Sequence, residues 1–504
     1  VIGRKQRRVR VTIPPGRPEN LAAAAIMGLV RVMSRVRGLF VGIAGLVAMA
    51  APAAHAQAVL RDVEIEQFLD DYSRPVFKAA GLPADQIEIL IVGDQSLNAF
   101  AGGLLMGVNT GLLTISDTPS QIQGVIAHEA GHIAGGHTAR SDEALAAATR
   151  PMLLSLVLAA GAIAAGAPDA GVGILGLGQR VGIANALKYS RGQESSADHA
   201  ALTYLERIGR SGQGLLESFA KMRNDQLLHG QRINPYLQSH PLATQRITAL
   251  EERAKASPYF DVRDSPEEIE RLRLIQAKIR GFMQDANVTL RQYPLSDQSD
   301  AARYARAVAY YRSADLERAV REIDKLLAAH PDNAYFNELK GQMLFESGKI
   351  AESIEPHRRS VELAPGKALL LINYGRALAA TEEPEKLRMA IKELKSALLL
   401  EPDNSFGWFE LARAHGTLGE EPLADLAMAE SRYHQGANPE AAQFARRAKA
   451  RLQPGTPEWR QANDIIVASV GADPANGPGG EREKPGEPAP RTPGEVPDPQ
   501  PNIR

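Results

Sequence analysis

The chain has 504 residues, too many for one core, so two or three domains are expected. Its formal net charge of −1 argues against a general nucleic-acid binder, which as a rule is strongly basic. With no cysteine, disulfides, thiolate zinc sites and cysteine nucleophiles are all excluded, and any metal has to be held by His, Asp or Glu.

Near the N-terminus, Met33 to Arg37 is short and basic, Gly38 to Ala51 is apolar, and Ala54-His55-Ala56 has the small-residue pattern of a cleavage site. That order predicts a secretory signal peptide cut after Ala56, with translation starting at Met33 (or Met27) and residues 1–32 as an upstream extension. Cleavage removes nine Lys/Arg and one Glu and takes the formal charge from −1 to −9. The mature protein is then moderately acidic. Val59 to Ala80 reads as a helix. Ile87 to Val92, apolar and rich in β-branched residues, reads as a strand. Leu97 to Ala101 and Leu104 to Val108, joined by Gly102-Gly103, read as a hairpin. A further helix is expected from Ser120 onward, capped by Thr118 or Ser120.

Residues 152–187 are unusually apolar, interrupted at Pro168-Asp169 and Gly-rich beyond it. The run before the break is short for a membrane span. It predicts either a packed helical hairpin or a flap that touches a membrane peripherally. Residues 263–300 read as a helical linker. From 301 to 455 the sequence repeats: Pro331 and Pro365 are 34 apart, as are Gly341 and Gly375, while Pro402 follows 37 later with Ala412 at the small position. A 34-residue period of paired helices is the signature of tetratricopeptide repeats, and residues 423–452 read as a further, atypical unit. Residues 471–504, about a quarter Pro, are expected to be disordered. The expected architecture is α+β and mostly helical. Residues 57–262 are expected to form one mixed domain with a small sheet, and an α-solenoid of repeats to follow.

The chemistry lies in His128-Glu129-Ala130-Gly131-His132. Two histidines four apart share one helix face and can share one zinc ion. Glu129 is then placed to take a proton from the attacking water rather than to bind metal. Gly131 leaves room for close packing. Glu194 is the preferred third ligand, because a second helix bearing it completes a His-His-Glu site. Asp198, four residues on, can accept a hydrogen bond from a ligand imidazole and fix its tautomer. His137 is a weaker candidate, since in a continuing helix it points away from His132. His240-Pro241 with Arg246 forms a third polar cluster. There His240 either stabilises an oxyanion or fills the open zinc position as a plug, and a plain turn before a helix is the structural alternative. His199 and His55 have no assignable partner.

HEAGH, then Ser190-Arg191-x-x-Glu194-x-x-Ala197-Asp198, then His240-Pro241 with Arg246, resembles the gluzincin family of HtpX and the CaaX prenyl protease 1. Asn98-Ala99-Phe100-Ala101 before Gly102-Gly103 is similar to the segment that precedes the metal helix in that family. The resemblance covers about residues 60–450. A signal peptide and C-terminal repeats narrow it to the periplasmic, repeat-bearing branch. It implies zinc ligands His128, His132 and Glu194, with Glu129 as catalytic acid/base. It also implies a proton donor at Asp198, although a hydrogen bond to a ligand imidazole is physically the better motivated role. It further implies a metalloendopeptidase for misassembled outer-membrane proteins whose repeats recruit substrate or dock on the assembly machinery, with substrate laid along the strand at Asn98, Ala99 and Phe100. A chaperone or assembly adaptor with a largely latent peptidase is the alternative. The family's set of spanning helices has no counterpart here, which speaks against prenyl-protein processing.

Overall fold

The computed structural model describes residues 59–137, 149–156, 158–159, 168–228, 236–237, 240–242 and 244–471. The signal-peptide segment and the Pro-rich tail from residue 472 lie outside the described residues.

Strand β1 (Val59–Leu60) leads into helix α1 (Val63–Ala79), whose N-cap Asp62 accepts the Ile65 amide. The expected helix over 59–80 is therefore shorter at its start, because Val59 and Leu60 pair antiparallel with strand β2 (Glu88–Val92). The hairpin of β3 (Ala99–Gly102) and β4 (Leu105–Asn109) forms as predicted, turning at Gly103 in the left-handed region. The four strands order as β1-β2-β4-β3, with β2 and β4 parallel and β3 at one edge. Helix α2 (Thr110–Ile115) follows, and then α3 (Pro119–Gly135), which carries the HEAGH motif. Thr118 occupies the N-cap position of α3, without a side-chain cap bond.

Residues 149–156 are helical, and the next long element, α4 (Pro168–Arg207), starts at the Pro168 that the sequence marks as a break. Helices α5 (Gln213–Leu228) and α6 (Thr244–Lys255) complete the unit. Its core gathers Phe68, Phe77, Met106, Ile126 and Phe219 between the sheet, α1, α3 and α5.

Helix α7 (Pro266–Met283), opened by a Ser265/Glu268 capping box, belongs to two cores at once. Leu272, Ile275 and Ile279 enter the peptidase core, while Ala277 enters the core of the first repeat. After α8 (Ala286–Gln292), helices alternate in antiparallel pairs. These are α9 (Asp300–Arg312) with α10 (Leu316–Ala329), α11 (Ala334–Glu346) with α12 (Ile350–Leu363), and α13 (Ala368–Ala379) with α14 (Pro384–Leu400). Then come α15 (Ser405–Thr417), α16 (Glu421–His434), α17 (Asn438–Arg451) and α18 (Pro457–Gly471).

The period has a packing cause. A Cβ on Gly341 would stand 2.8 Å from the His357 ring, and one on Gly375 would stand 2.8 Å from Leu394, so a small residue there lets the two helices of a pair meet. The 37-residue spacing to Pro402 also has a cause, since α14 has 17 residues where α10 and α12 have 14. The result is an α-solenoid of tetratricopeptide type.

The start of the peptidase unit packs against the repeats. Lys278 on α7 meets Asp62 at 2.7 Å and Glu64 at 3.2 Å, and the Tyr304 hydroxyl of α9 donates to Glu64 at 2.8 Å. Farther along, Arg61 pairs with Glu401 at 2.8 Å. Between α1, α7 and the repeat helices lies a cavity of about 440 Å³, lined among others by Glu64, Phe282, Glu338, Phe345 and Arg376.

Candidate metal centre

Helix α3 is buried almost throughout, and its second half is held against α4. Gly131 makes this possible, because a Cβ there would lie 2.9 Å from the Ala197 backbone. Any side chain would push apart the two helices that carry the cluster. His128 and His132, one turn apart, bring their Nε2 atoms to 3.1 Å. Glu194 on α4 approaches them at 3.5 and 3.4 Å. His240 enters from the segment before α6, with its Nδ1 3.4 Å from His128 Nε2 and 3.0 Å from Glu194. One ligand atom from each of these four buried residues lies within 4.8 Å of the others.

Around this cluster sits a supporting layer. Asp198 lies 3.0 Å from His128 Nδ1, on the ring edge opposite the cluster. Arg246 grips Asp198 with two bonds, at 2.7 and 2.9 Å, and also reaches Glu194 at 3.0 Å. The Tyr236 ring stacks on His240 with centroids 4.5 Å apart. Glu129 points toward His240 Nε2 at 3.6 Å.

His137 departs from expectation. Helix α3 ends at Gly135, and Gly136 takes the left-handed C-cap conformation. The chain therefore folds back, and His137 Nδ1 comes to 2.9 Å from His132 Nδ1. It stands behind a ligand histidine and outside the four-residue cluster. The Gly-Gly pair was the sequence signal for this reversal. Nothing in the spacing pointed to Tyr236, whose segment is separated from the motif by about a hundred residues. His199 makes no contact with the cluster; its carbonyl accepts from Thr203.

The ionisable groups of the cluster are strongly coupled to one another. Burial alone would keep the His128 ring neutral, but hydrogen bonds to Asp198 and Glu194 outweigh it and raise the ring to about 9. His132 moves the other way, to about 3, through burial and the adjacent His128 charge. Burial opposes ionisation of Glu194, yet hydrogen bonds to His128 and His240 hold it well below the usual carboxylate range. Glu129 is pushed up, chiefly by burial. Asp198 lies against Nδ1 of His128 and His137 faces Nδ1 of His132, so both Nε2 atoms turn toward the same point. A His-His-Glu donor set there suits a divalent metal, which binds the deprotonated Nε2 atoms.

A buried donor set of this kind on two packed helices, with a carboxylate next to the first histidine, defines a metallopeptidase. Residues 61–254 match the model of Peptidase family M48. The chain is similar to the putative beta-barrel assembly-enhancing protease of Vibrio cholerae, with 24% identity over 385 residues, 74% of this chain and 76% of the relative. The beta-barrel assembly-enhancing protease of Escherichia coli is 26% identical over 386 residues, again 74% and 76% of the two chains. Metalloprotease YcaL of E. coli is 32% identical over 169 residues, 33% of this chain and 61% of the relative.

Proposed function

We propose that this chain is a periplasmic zinc endopeptidase acting on misfolded or stalled envelope proteins during outer-membrane protein assembly. The observation that carries the reading is the buried convergence of His128, His132 and Glu194 beside Glu129. These three side chains would hold one zinc ion per chain, with His240 as a fourth ligand or plug. When bound, the ion acts as a Lewis acid toward water and the peptide carbonyl.

The chain's own residues do the rest. Glu129, whose pKa burial raises, is suited to accept a proton from water and return it to the leaving amine. Asp198 holds the Nδ1 proton of His128 and keeps its Nε2 free as a ligand. Arg246 fixes the carboxylates of Glu194 and Asp198 on α4. Strand β3, an edge strand packed beside α3, would offer backbone groups at Ala99 and Phe100 to an extended substrate, with Asn98 just before it already accepting the Asn109 amide. The repeats over 301–455 would recruit the substrate or dock on the assembly machinery. A signal peptide starting at Met33 (or Met27) and cut after Ala56 would account for export.

Zinc content and casein cleavage of the mature chain, Glu129→Gln and His240→Ala test the reading together. One zinc per chain, a loss of cleavage of at least about 100-fold in Glu129→Gln and a gain in His240→Ala are expected. Absence of zinc would overturn the ligand assignment. Bound zinc without cleavage in any form would favour the second reading, a chaperone or adaptor with a largely latent peptidase. The position of His240, in contact with Glu194 and near Glu129, is the observation on its side. Complementation of outer-membrane integrity by Glu129→Gln separates the two.

A further inference from the structure

Of the 22 exposed large apolar side chains among the described residues, eight fall between residues 152 and 181. Leu153, Leu154, Leu156 and Leu158 are each more than half exposed, as is Leu177 on α4. At about 100° per residue, those four leucines point to several sides of one helix, while Ser155 and Ala159 make its buried face. The leucines therefore protrude and line no groove. A groove would suit a bound peptide.

The charge of this region differs from that of its surroundings. Residues 149–193 hold four Lys/Arg and a single acid, Asp169, in a chain that otherwise carries an acidic excess. Arg150, Arg180 and Arg191 are exposed. Protruding leucines flanked by arginines match the apolar boundary and phosphate layer of an anionic bilayer. They do not match a second copy, which would bring arginines against arginines. No helix of the described residues is long and apolar enough to cross a membrane, so the contact is peripheral.

We infer that Leu153, Leu154 and Leu177, with Arg150 and Arg180, dock this protein on an anionic lipid surface. The consequence for the metal centre follows from one helix. Leu177 and Glu194 both lie on α4, 17 residues apart. At 1.5 Å per residue the centre stands at most about 26 Å from the point of insertion. The peptidase would work on chain segments emerging close to a bilayer. The inference stands apart from the peptidase reading, since lipid docking needs no metal.

The test is co-sedimentation of the full mature chain with vesicles of phosphatidylglycerol and phosphatidylethanolamine, and with vesicles of phosphatidylcholine alone. Binding to the anionic vesicles, weakened by salt, is expected, with little binding to the neutral ones. Leu153→Glu with Leu154→Glu should lower it at least 10-fold. Arg150→Glu with Arg180→Glu should lower it by about 5-fold or more per arginine. Zinc content and casein cleavage in solution should stay unchanged, which shows that the variants fold. Equal binding by wild type and leucine variant, or no binding by either, overturns the inference. So does a leucine variant that loses self-association in sedimentation velocity, or casein cleavage, while vesicle binding stays the same, because the patch would then serve a second copy or a client chain.

Discussion

At the metal centre, His128 and His132 turn their Nε2 atoms toward each other and toward Glu194, and their outer nitrogens are taken up by Asp198 and His137. At the junction with the repeats, Lys278 sits between Asp62 and Glu64, and Tyr304 completes the arrangement. Both clusters are buried and rich in ionisable groups. The junction supplies its own cation, with an ammonium among carboxylates. The centre has imidazole and carboxylate donors converging on one point, and Arg246 reaches Glu194 and Asp198 from outside it. A buried cluster that neutralises itself is a structural lock. A buried cluster whose donors converge on one point is a candidate binding site.

The sharpest way to break this contrast is to remove the internal cation. Lys278→Met leaves Asp62 and Glu64 without their partner, and a loss of about 3–5 kcal/mol in urea unfolding is expected, with zinc content retained in the folded fraction. If zinc is lost while stability is kept, the two clusters are not separate devices.

Titration refines the same point. Glu338 faces the junction cavity, and burial, opposed by Lys278 and reinforced by Asp62 and Glu64, raises it to about 7. Between the ordinary carboxylate value and 7 the native state therefore holds the proton that the unfolded chain has released. Stability through this group falls as pH rises across that window. Glu338→Gln should then be more stable than wild type at pH 8, by about 2 kcal/mol after allowing for solvent in the cavity, and equal to it near pH 4. Thermal unfolding at the two pH values checks the sign.

Asp198→Asn probes the layer behind the ligands. Zinc affinity measured by chelator competition should fall about 10–100-fold with the fold intact. The smallest effect is expected at Arg61, whose pair with Glu401 is partly solvent-exposed. Arg61→Ala should cost about 1 kcal/mol or less.

Much of this architecture was legible because its cause is local. The i, i+4 spacing of His128 and His132, the β-branched run at Ile87 and the Gly-Gly turn of the hairpin all act within a few residues. The repeat period is equally readable, since Gly341 and Gly375 answer to one helix-pair contact each. Glu194 was found through the chemistry of its neighbours more than by pattern. The junction was not legible. Lys278 looks like any polar residue of an amphipathic helix, and its partners lie more than 200 residues earlier in the chain. Strand β1 was missed because two residues carry no period. The reversed path of His137 was missed because the helix was continued through Gly135 and Gly136.

The contact between Arg61 and Glu401 spans 340 positions of sequence. The turn that leads into helix α1 thus finds its last partner only after α14 has been synthesised, whereas Glu64 on α1 meets Lys278 and Tyr304 earlier. Pairing at such long range favours slow maturation. The same wiring means that a protein truncated before the repeats would lose part of its first helix's setting.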